Sequence, residues 1–399
     1  MTTARISKRS EKHVMAAKIF FLLSILLLYS ALHLYIFVKI RAAFHLGTPA
    51  FILVICIMVL MIFAPVLVRI SERLGLENLA CPISYVGYTW MGLAFLFFFF
   101  SLAIDLYRLL VHATGPLLRI NISHLTPSPQ IALFMTILLT LGVAVYGYFE
   151  ARSIRSETLT VRSQKIPKDT GGLTIVQVSD IHLGLIVREP RLKRILTEVK
   201  KAEPDILIST GDLVDGQIDN LAGLAEMLRG IDARYGKFAV TGNHEFFAGL
   251  DHALSFTENA GFTALRGETA TAGGIINIAG VDDPTGKYFG HYKGISEKTL
   301  LSGLPKDRFT LLLKHVPVID KSALGLFDLQ LSGHTHDGQI FPFNLVVRLF
   351  FPKHAGLFHL PNNALLYVSR GSGTWGPPLR FLSPPEVTII RLVHEEDPP

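Results

Sequence analysis

The hydrophobic positions along this chain follow two patterns, and the change falls near residue 150. Before it they run almost unbroken through four stretches, Ala17–Val38, Ala50–Val68, Ser84–Ile104 and Ile131–Phe149, each close to the ~20 apolar residues that cross a bilayer core. A buried soluble helix or a cleaved signal peptide accounts for one such run, but not for four in succession with no compact polar segment between them. The pattern predicts an all-α transmembrane domain of about four helices over residues 1–150, then a basic juxtamembrane linker over 151–172.

After residue 172 short β-branched runs alternate with amphipathic stretches, the signature of an α/β domain. Strands are expected at Leu173–Val178, Ile206–Ser209, Lys237–Val240, Ile275–Ala279, Thr310–Leu313, Asp328–Leu331, Leu365–Val368 and Val387–Leu392. Helices are expected at Pro190–Lys201 and Leu221–Arg229. The domain extends over 173–393, and residues 394–399 form a short acidic tail.

Half of the 399 residues are hydrophobic and the formal charge is +6. Much of the basic excess lies beside the apolar runs, where anionic headgroups attract it. Arg5, Lys8, Arg9, Lys12 and Lys18 precede the first run, Arg69 and Arg73 follow the second, and Arg152, Arg155, Arg162, Lys165 and Lys168 follow the fourth. The positive-inside rule then sets both termini and the 173–393 domain in the cytoplasm of a multi-pass cell-membrane protein. No basic-aromatic repeat or zinc-finger spacing accompanies the charge, so no nucleic acid is expected as a dedicated partner. The two cysteines, Cys56 and Cys81, lie in and between the apolar runs and indicate neither a disulfide framework nor a Cys-based metal site.

Five clusters carry the chemistry: Asp180-Ile181-His182, Gly211-Asp212-Leu213-Val214-Asp215, Gly242-Asn243-His244-Glu245, Lys314-His315-Val316-Pro317 and Gly333-His334-Thr335-His336. One alone means little, since an Asp-x-His commonly marks a capped turn. Each, however, follows an expected strand, and loops beyond the carboxyl ends of strands are where α/β sheets bind ligands. Glycines before three of the clusters fit tight turns. Carboxylate and imidazole donors suit divalent cations that activate water, and two ions ~3.5–4 Å apart need a shared oxygen. Asp212 is the candidate bridge; Asp180, His182, Asp212 and His336 would hold one ion, and Asp212, Asn243, His315 and His334 the other. A hydroxide between the ions would attack phosphorus in line with the leaving group. His244 is left to contact the phosphoryl oxygens or protonate the leaving oxygen. Asp215 either orients that imidazole or closes an Asx turn before Gly216.

In this order the clusters resemble the calcineurin-like metallophosphoesterase superfamily, whose pattern is D-x-H, G-D-x-x-D, G-N-H-E/D, a lone H and G-H-x-H. The resemblance implies a four-layer α/β/β/α sandwich, a phosphoester hydrolase, a dinuclear centre of Mn²⁺, Fe or Zn²⁺, and His244 as the catalytic histidine. Ser179-Asp180-Ile181-His182-Leu183-Gly184, Gly333 to Gln339 and Ser369 to Thr374 are most similar to a membrane-associated branch. That branch includes transmembrane metallophosphoesterases and enzymes cleaving UDP-diacylglucosamine. Asp337 departs from it, standing where many relatives carry Gly.

The bond cleaved is left open among phosphodiester, phosphomonoester and pyrophosphate, in a substrate that anchoring suggests is lipid-linked or nucleotide-linked. The other function class is a membrane transporter or sensor with a regulatory metal-binding domain. Against it, the runs hold little that ionises beyond His33, and Asp105 lies at an end. A catalytically dead scaffold requires eroded motifs, and none is eroded. Four further segments carry two readings each. Arg370 and Arg380 contact phosphate or are surface arginines. Asp282–His291 is a substrate-side loop or a solvated turn. Leu345–Phe351 dips into a membrane interface or is a buried element edge.

Overall fold

The computed structural model describes residues 2–216 and 221–396, with side chains from residue 23 onward. The N-terminal basic side chains Arg5 to Lys18 and residues 397–399 of the expected tail lie outside the described residues. The chain divides into two compact units between Tyr146 and Gly147.

The first unit is built from α1 (Thr2–Ala43), α2 (Thr48–Arg73), α3 (Glu77–Leu118) and the greater part of α4 (Pro129–Glu150). Among the described residues, four helices are long and apolar enough to cross a membrane. In hydrocarbon a helix satisfies its own backbone polar groups, which open strands and loops cannot do. Pro49 in the first turn of α2 and the left-handed Gly75 just after it (φ 69°) mark that helix's ends. Many outward side chains are large and apolar, Leu27, Leu28 and Phe134 among them, as a lipid environment requires. α2 and α3 pack so closely that a Cβ at Gly87 would stand 2.7 Å from Ala64 Cβ.

Several polar side chains of this unit are paired. Trp90 Nε1 donates to His33 Nε2 at 2.8 Å, and His33 Nδ1 meets Tyr29 O. Asp105 is not at a helix end: it lies inside the long α3, takes a 2.6 Å hydrogen bond from Tyr35 and pairs with Lys39.

The second unit runs in the order β1 (Arg155–Ser163), β2 (Leu173–Val178), α5 (Glu189–Lys201), β3 (Ile206–Ser209), α6 (Ala222–Arg229), β4 (Lys237–Ala239), α7 (Asn243–Ala248), α8 (Leu250–Asn259), β5 (Thr263–Ala264), β6 (Glu268–Ala272), β7 (Ile276–Gly280), α9 (Gly286–Phe289), α10 (Glu297–Ser302), β8 (Phe309–Leu313), β9 (Leu329–Ser332), α11 (Phe343–Phe350), β10 (Gly356–His359), β11 (Leu365–Val368) and β12 (Glu386–His394). Two six-stranded sheets form, ordered β1-β12-β2-β3-β4-β5 and β10-β11-β9-β8-β7-β6.

Alternation along the strands decides which faces meet. Ile175, Ile206, Ile208 and Phe238 from one sheet share a buried cluster with Ile278, Phe309, Leu311, Leu313 and Leu331 from the other. Leu312, on the opposite face of β8, joins Leu301 of α10 and Phe327 in an outer cluster. α5 buries Leu192, Ile195, Leu196 and Val199, the i, i+3, i+4, i+7 stripe of an amphipathic helix. The result is the mixed α/β sandwich expected.

One expectation needs correction. Residues 151–172 are not merely a linker, because β1 pairs in parallel with β12 along its whole length, from Arg155↔Glu386 to Ser163↔His394. An edge strand is held by backbone hydrogen bonds, and β1 buries only Val161 fully, so its polar sequence carries no strand signature.

Candidate metal centre

β2, β3 and β4 are neighbouring parallel strands, and β8 and β9 form a second parallel pair. Parallel strands present their carboxyl ends on one side, so the loops bearing Asp180, Asp212 and Asn243 emerge together, as do those bearing His315 and His334. Interlocking backbone bonds fix these loops: Asp180 N–H donates to Gly211 O (3.0 Å), His182 N–H to Asp212 O (3.0 Å) and Gly333 N–H to His315 O (2.9 Å).

The loops are strained. Asp180, His182, Asp212, His334 and His336 all sit at positive φ, between 49° and 73°. Each non-glycine residue in that region costs roughly 1–2 kcal/mol, which the surrounding packing must overcome. Glycine serves another need here. A Cβ at Gly242 would lie 2.2 Å from Asp212 Oδ1, and one at Gly333 would lie 2.2 Å from Asp180 Oδ2. Neither of these two glycines has positive φ; they are small so that backbone can press against a carboxylate.

The donor atoms converge in two groups. His336 Nε2 is 3.1 Å from His182 Nε2 and 3.4 Å from Asp180 Oδ1. His334 Nδ1 is 3.2 Å from His315 Nε2 and 3.1 Å from Asn243 Oδ1, and His315 Nε2 is 3.2 Å from both Asn243 Oδ1 and Asp212 Oδ2. Ligands ~2.1 Å from one ion lie about 3–3.5 Å from each other, the spacing seen in both groups. The same Asp212 oxygen, Oδ2, also faces His182 Nε2 at 3.8 Å, so one carboxylate oxygen looks into both groups. The arrangement fits two cations bridged by Asp212.

Hydrogen bonds behind the rings select the inward nitrogens. His315 Nδ1 meets Thr210 O at 2.8 Å, and since a carbonyl only accepts, Nδ1 carries the proton and Nε2 is left to face the site. Asp215 Oδ1 does the same for His244, 2.9 Å from its Nδ1, and stands 3.3 Å from His182 Nδ1. The orienting reading of Asp215 therefore has its contact, and His182 adds a partner that the sequence did not suggest.

Electrostatics point the same way. Burial pushes Asp212 upward, yet His315 and His244 beside it hold it well below the carboxylate range. Asp180 is likewise lowered against its burial by His336. Burial opposes protonation of His315, but Asp212 raises it well above the usual value. Protons thus supply the positive charge that this carboxylate-rich pocket demands, a service that bound cations would replace. Burial pushes His336 down to about 4, favouring the neutral, ligating form.

His244, outside the expected ligand set, forms a further close group of donor atoms with His182 and Asp212. Its backbone N–H donates to Asp212 Oδ1 at 2.8 Å, and its ring lies 5.4 Å from Phe247 and 6.2 Å from Trp375. Burial works against its charge, but Asp212 and Asp215 outweigh it and raise its pKa to about 9. A cationic imidazole beside the donors is able to bind a phosphoryl oxygen or give up a proton.

Several supporting residues emerge only in three dimensions. Glu245 is buried and accepts from the backbone N–H groups of Asp212 (3.0 Å), Leu213 (2.7 Å) and Gly242 (2.6 Å), tying two clusters together. Arg380 does not lie on the surface. It is wholly buried, donates to Gly371 O, Gly373 O and Ser383 O, and stands 3.3 Å from His336 Nδ1. Arg370 pairs with Glu157 and Glu386. Asp337 lies 3.2 Å from His354 rather than among the donors. Asp282 and Asp283, expected in a solvated turn or a substrate loop, are buried, Asp282 against Arg266 at 2.7 Å. Glu245 had a signal in its place within Gly242-Asn243-His244-Glu245; Arg380, 44 residues past His336, had none.

Residues 173–338 match the family model of calcineurin-like phosphoesterases. The chain is 40% identical over 261 residues to an uncharacterized metallophosphoesterase of Aquifex aeolicus, covering 65% of this chain and 98% of that one. It is 31% identical over 319 residues to an uncharacterized metallophosphoesterase of Campylobacter jejuni, covering 77% and 83%. With the transmembrane protein with metallophosphoesterase domain of Danio rerio it shares 33% identity over 272 residues, 65% of this chain and 62% of that one. The chain belongs to the calcineurin-like phosphoesterase family. It is a metallophosphoesterase, a hydrolase whose similarity to transmembrane relatives supports the membrane-associated branch.

Proposed function

We propose that this protein is a membrane-anchored phosphoesterase with a dinuclear centre, in which Asp180, His182, Asp212 and His336 hold one divalent ion and Asp212, Asn243, His315 and His334 the other. The observation that carries the reading is the Asp212 carboxylate oxygen facing His182 and His315 from between the two donor groups. When bound, the ions polarise the phosphoryl oxygens and make an attacking water acidic enough to lose its proton near neutral pH. Mn²⁺ is our first choice, with Fe or Zn²⁺ as alternatives.

The chain's own residues do the rest. His244, held by Asp215, binds a phosphoryl oxygen and delivers a proton to the leaving oxygen. Asn243 adds a donor without negative charge that would repel phosphate. Asp215 keeps the His244 imidazole in the tautomer its work needs. The basic segments beside the spans support a multi-pass cell-membrane protein with both termini and the catalytic unit in the cytoplasm. Anchoring suits a phosphoester substrate carried on a lipid or a lipid-linked nucleotide.

The test uses full-length protein in lipid nanodiscs with Mn²⁺, assayed on bis-p-nitrophenyl phosphate, p-nitrophenyl phosphate and UDP-diacylglucosamine beside Asp212→Asn and His244→Ala. Hydrolysis that needs metal and is lost in both variants is expected. A metal-loaded protein that hydrolyses none of the three, or variants that retain full rates, would overturn the reading.

A further inference from the structure

The apolar helix α11 follows the His334–His336 cluster, and none of its residues is buried. Leu345, Val346, Leu349 and Phe350, at i, i+1, i+4 and i+5, line one side of it, with Leu349 80% and Phe350 75% exposed. Such a strip is too concentrated to be scattered surface leucine and marks a binding face. The opposite side is tied to the metal centre. Arg348 Nε donates to His354 Nε2 at 3.0 Å, Thr335 Oγ1 donates to His354 O, and Phe351 packs on the His334 ring at 5.4 Å.

Hydrogen bonds also lead from α11 to the turn where the chain leaves its last membrane helix. Phe343 N–H donates to Ile340 O, and the next residue, Phe341, donates its N–H to Phe381 O at 3.0 Å. On either side of Phe381, Arg380 N–H donates to Gly147 O at 3.0 Å and Leu382 N–H to Glu150 Oε2 at 2.9 Å. Gly147 and Glu150 are in the final turn of α4, and a Cβ at Gly147 would strike Arg380 O at 2.7 Å. Leu382 is itself 57% exposed.

We propose that α11 is an interfacial helix whose occupant is the bilayer itself. Leu345, Val346, Leu349 and Phe350 enter the headgroup–acyl boundary, while Arg348 stays on the polar side. Three things favour lipid over a second copy or another protein: hydrogen bonds through Phe341 and Phe381 tie the start of α11 to the last turn of α4, a helix long and apolar enough to cross a membrane; the strip consists of Leu, Val and Phe alone; and Arg348 projects from another side of the helix. Seating there sets the His334 side of the metal centre at headgroup depth, within reach of a phosphoester borne on an amphiphile. The seat does not depend on which bond is cleaved.

The test is a depth measurement that needs no catalysis. Full-length protein carrying Cys56→Ser, Cys81→Ser and Leu349→Cys is spin-labelled in phosphatidylethanolamine–phosphatidylglycerol nanodiscs, and Lys298→Cys, exposed on α10, serves as the solvent reference. The label at 349 is expected to collide with oxygen several-fold more, relative to a water-soluble nickel chelate, than the label at 298. Equal ratios at both positions would overturn the proposal. Shielding at 349 from both oxygen and nickel would also overturn it, since that is the signature of a protein partner.

Discussion

Asp215 Oδ1 lies 2.9 Å from His244 Nδ1, and a carboxylate, which only accepts, dictates that the Nδ1 carries the proton. Asp215 is therefore a positioning residue for a proton-bearing imidazole. His244 is raised from the ordinary 6.5 to about 9 against its burial by Asp212 and Asp215. In the metal-free protein the cationic, donating form is present below that value and is lost as pH rises through it. Asp215→Asn removes one raising charge, so the alkaline limb of the kcat–pH profile is expected to move to lower pH, with a fall in kcat of about 10- to 100-fold. An unshifted alkaline limb would separate Asp215 from this role.

The same shift enters stability with a definite sign. A histidine whose pKa is higher folded than unfolded contributes stability that is complete below about 6.5 and disappears as pH climbs through about 9. Metal-free wild-type protein should thus lose more thermal stability between those two values than metal-free His244→Ala. Differential scanning fluorimetry across that window checks it.

Gly242 and Gly333 are required by contact rather than by turn geometry. A methyl at Gly242 stands 2.2 Å from Asp212 Oδ1, and one at Gly333 stands 2.2 Å from Asp180 Oδ2. Gly242→Ala and Gly333→Ala should each weaken metal binding by at least roughly tenfold, as disturbing ligand support does elsewhere. Isothermal titration with Mn²⁺ provides the readout.

Arg380 sits behind His336 with its guanidinium on three backbone carbonyls. Arg380→Met leaves those buried acceptors without their donor, a loss of about 2–4 kcal/mol. Lower thermal stability is expected together with weaker binding of the ion nearest His336. Arg380→Lys should restore little of either, since an ammonium cannot reproduce the planar fork.

In the membrane unit, Lys39 and Asp105 are paired. Removing one partner strands a charge, whereas removing both does not. Lys39→Met should lower the melting temperature in detergent more than the double variant Lys39→Met with Asp105→Asn.

The parts legible in the sequence were those whose signal is local. Leu173–Val178, Ile206–Ser209 and Leu365–Val368 begin and end in the structure where their apolar runs do, and the five clusters lie in the loops that follow strands. The parts that were not legible are set by distant partners. β1 is polar because its neighbour β12 supplies backbone bonds and little burial. Arg380 reads as any arginine until the fold closes around it. α11 reads equally as a buried edge or an interfacial helix, and its exposure distinguishes the two.

The central claim is that Asp212 joins two cations in one centre. Electron paramagnetic resonance of full-length protein titrated with Mn²⁺ tests it directly. The account predicts two Mn²⁺ per chain with an exchange-coupled multiline signal, and loss of that coupling in Asp212→Asn. A wild-type protein that shows only isolated six-line Mn²⁺ centres, or that takes up fewer than two ions at saturation, would contradict it.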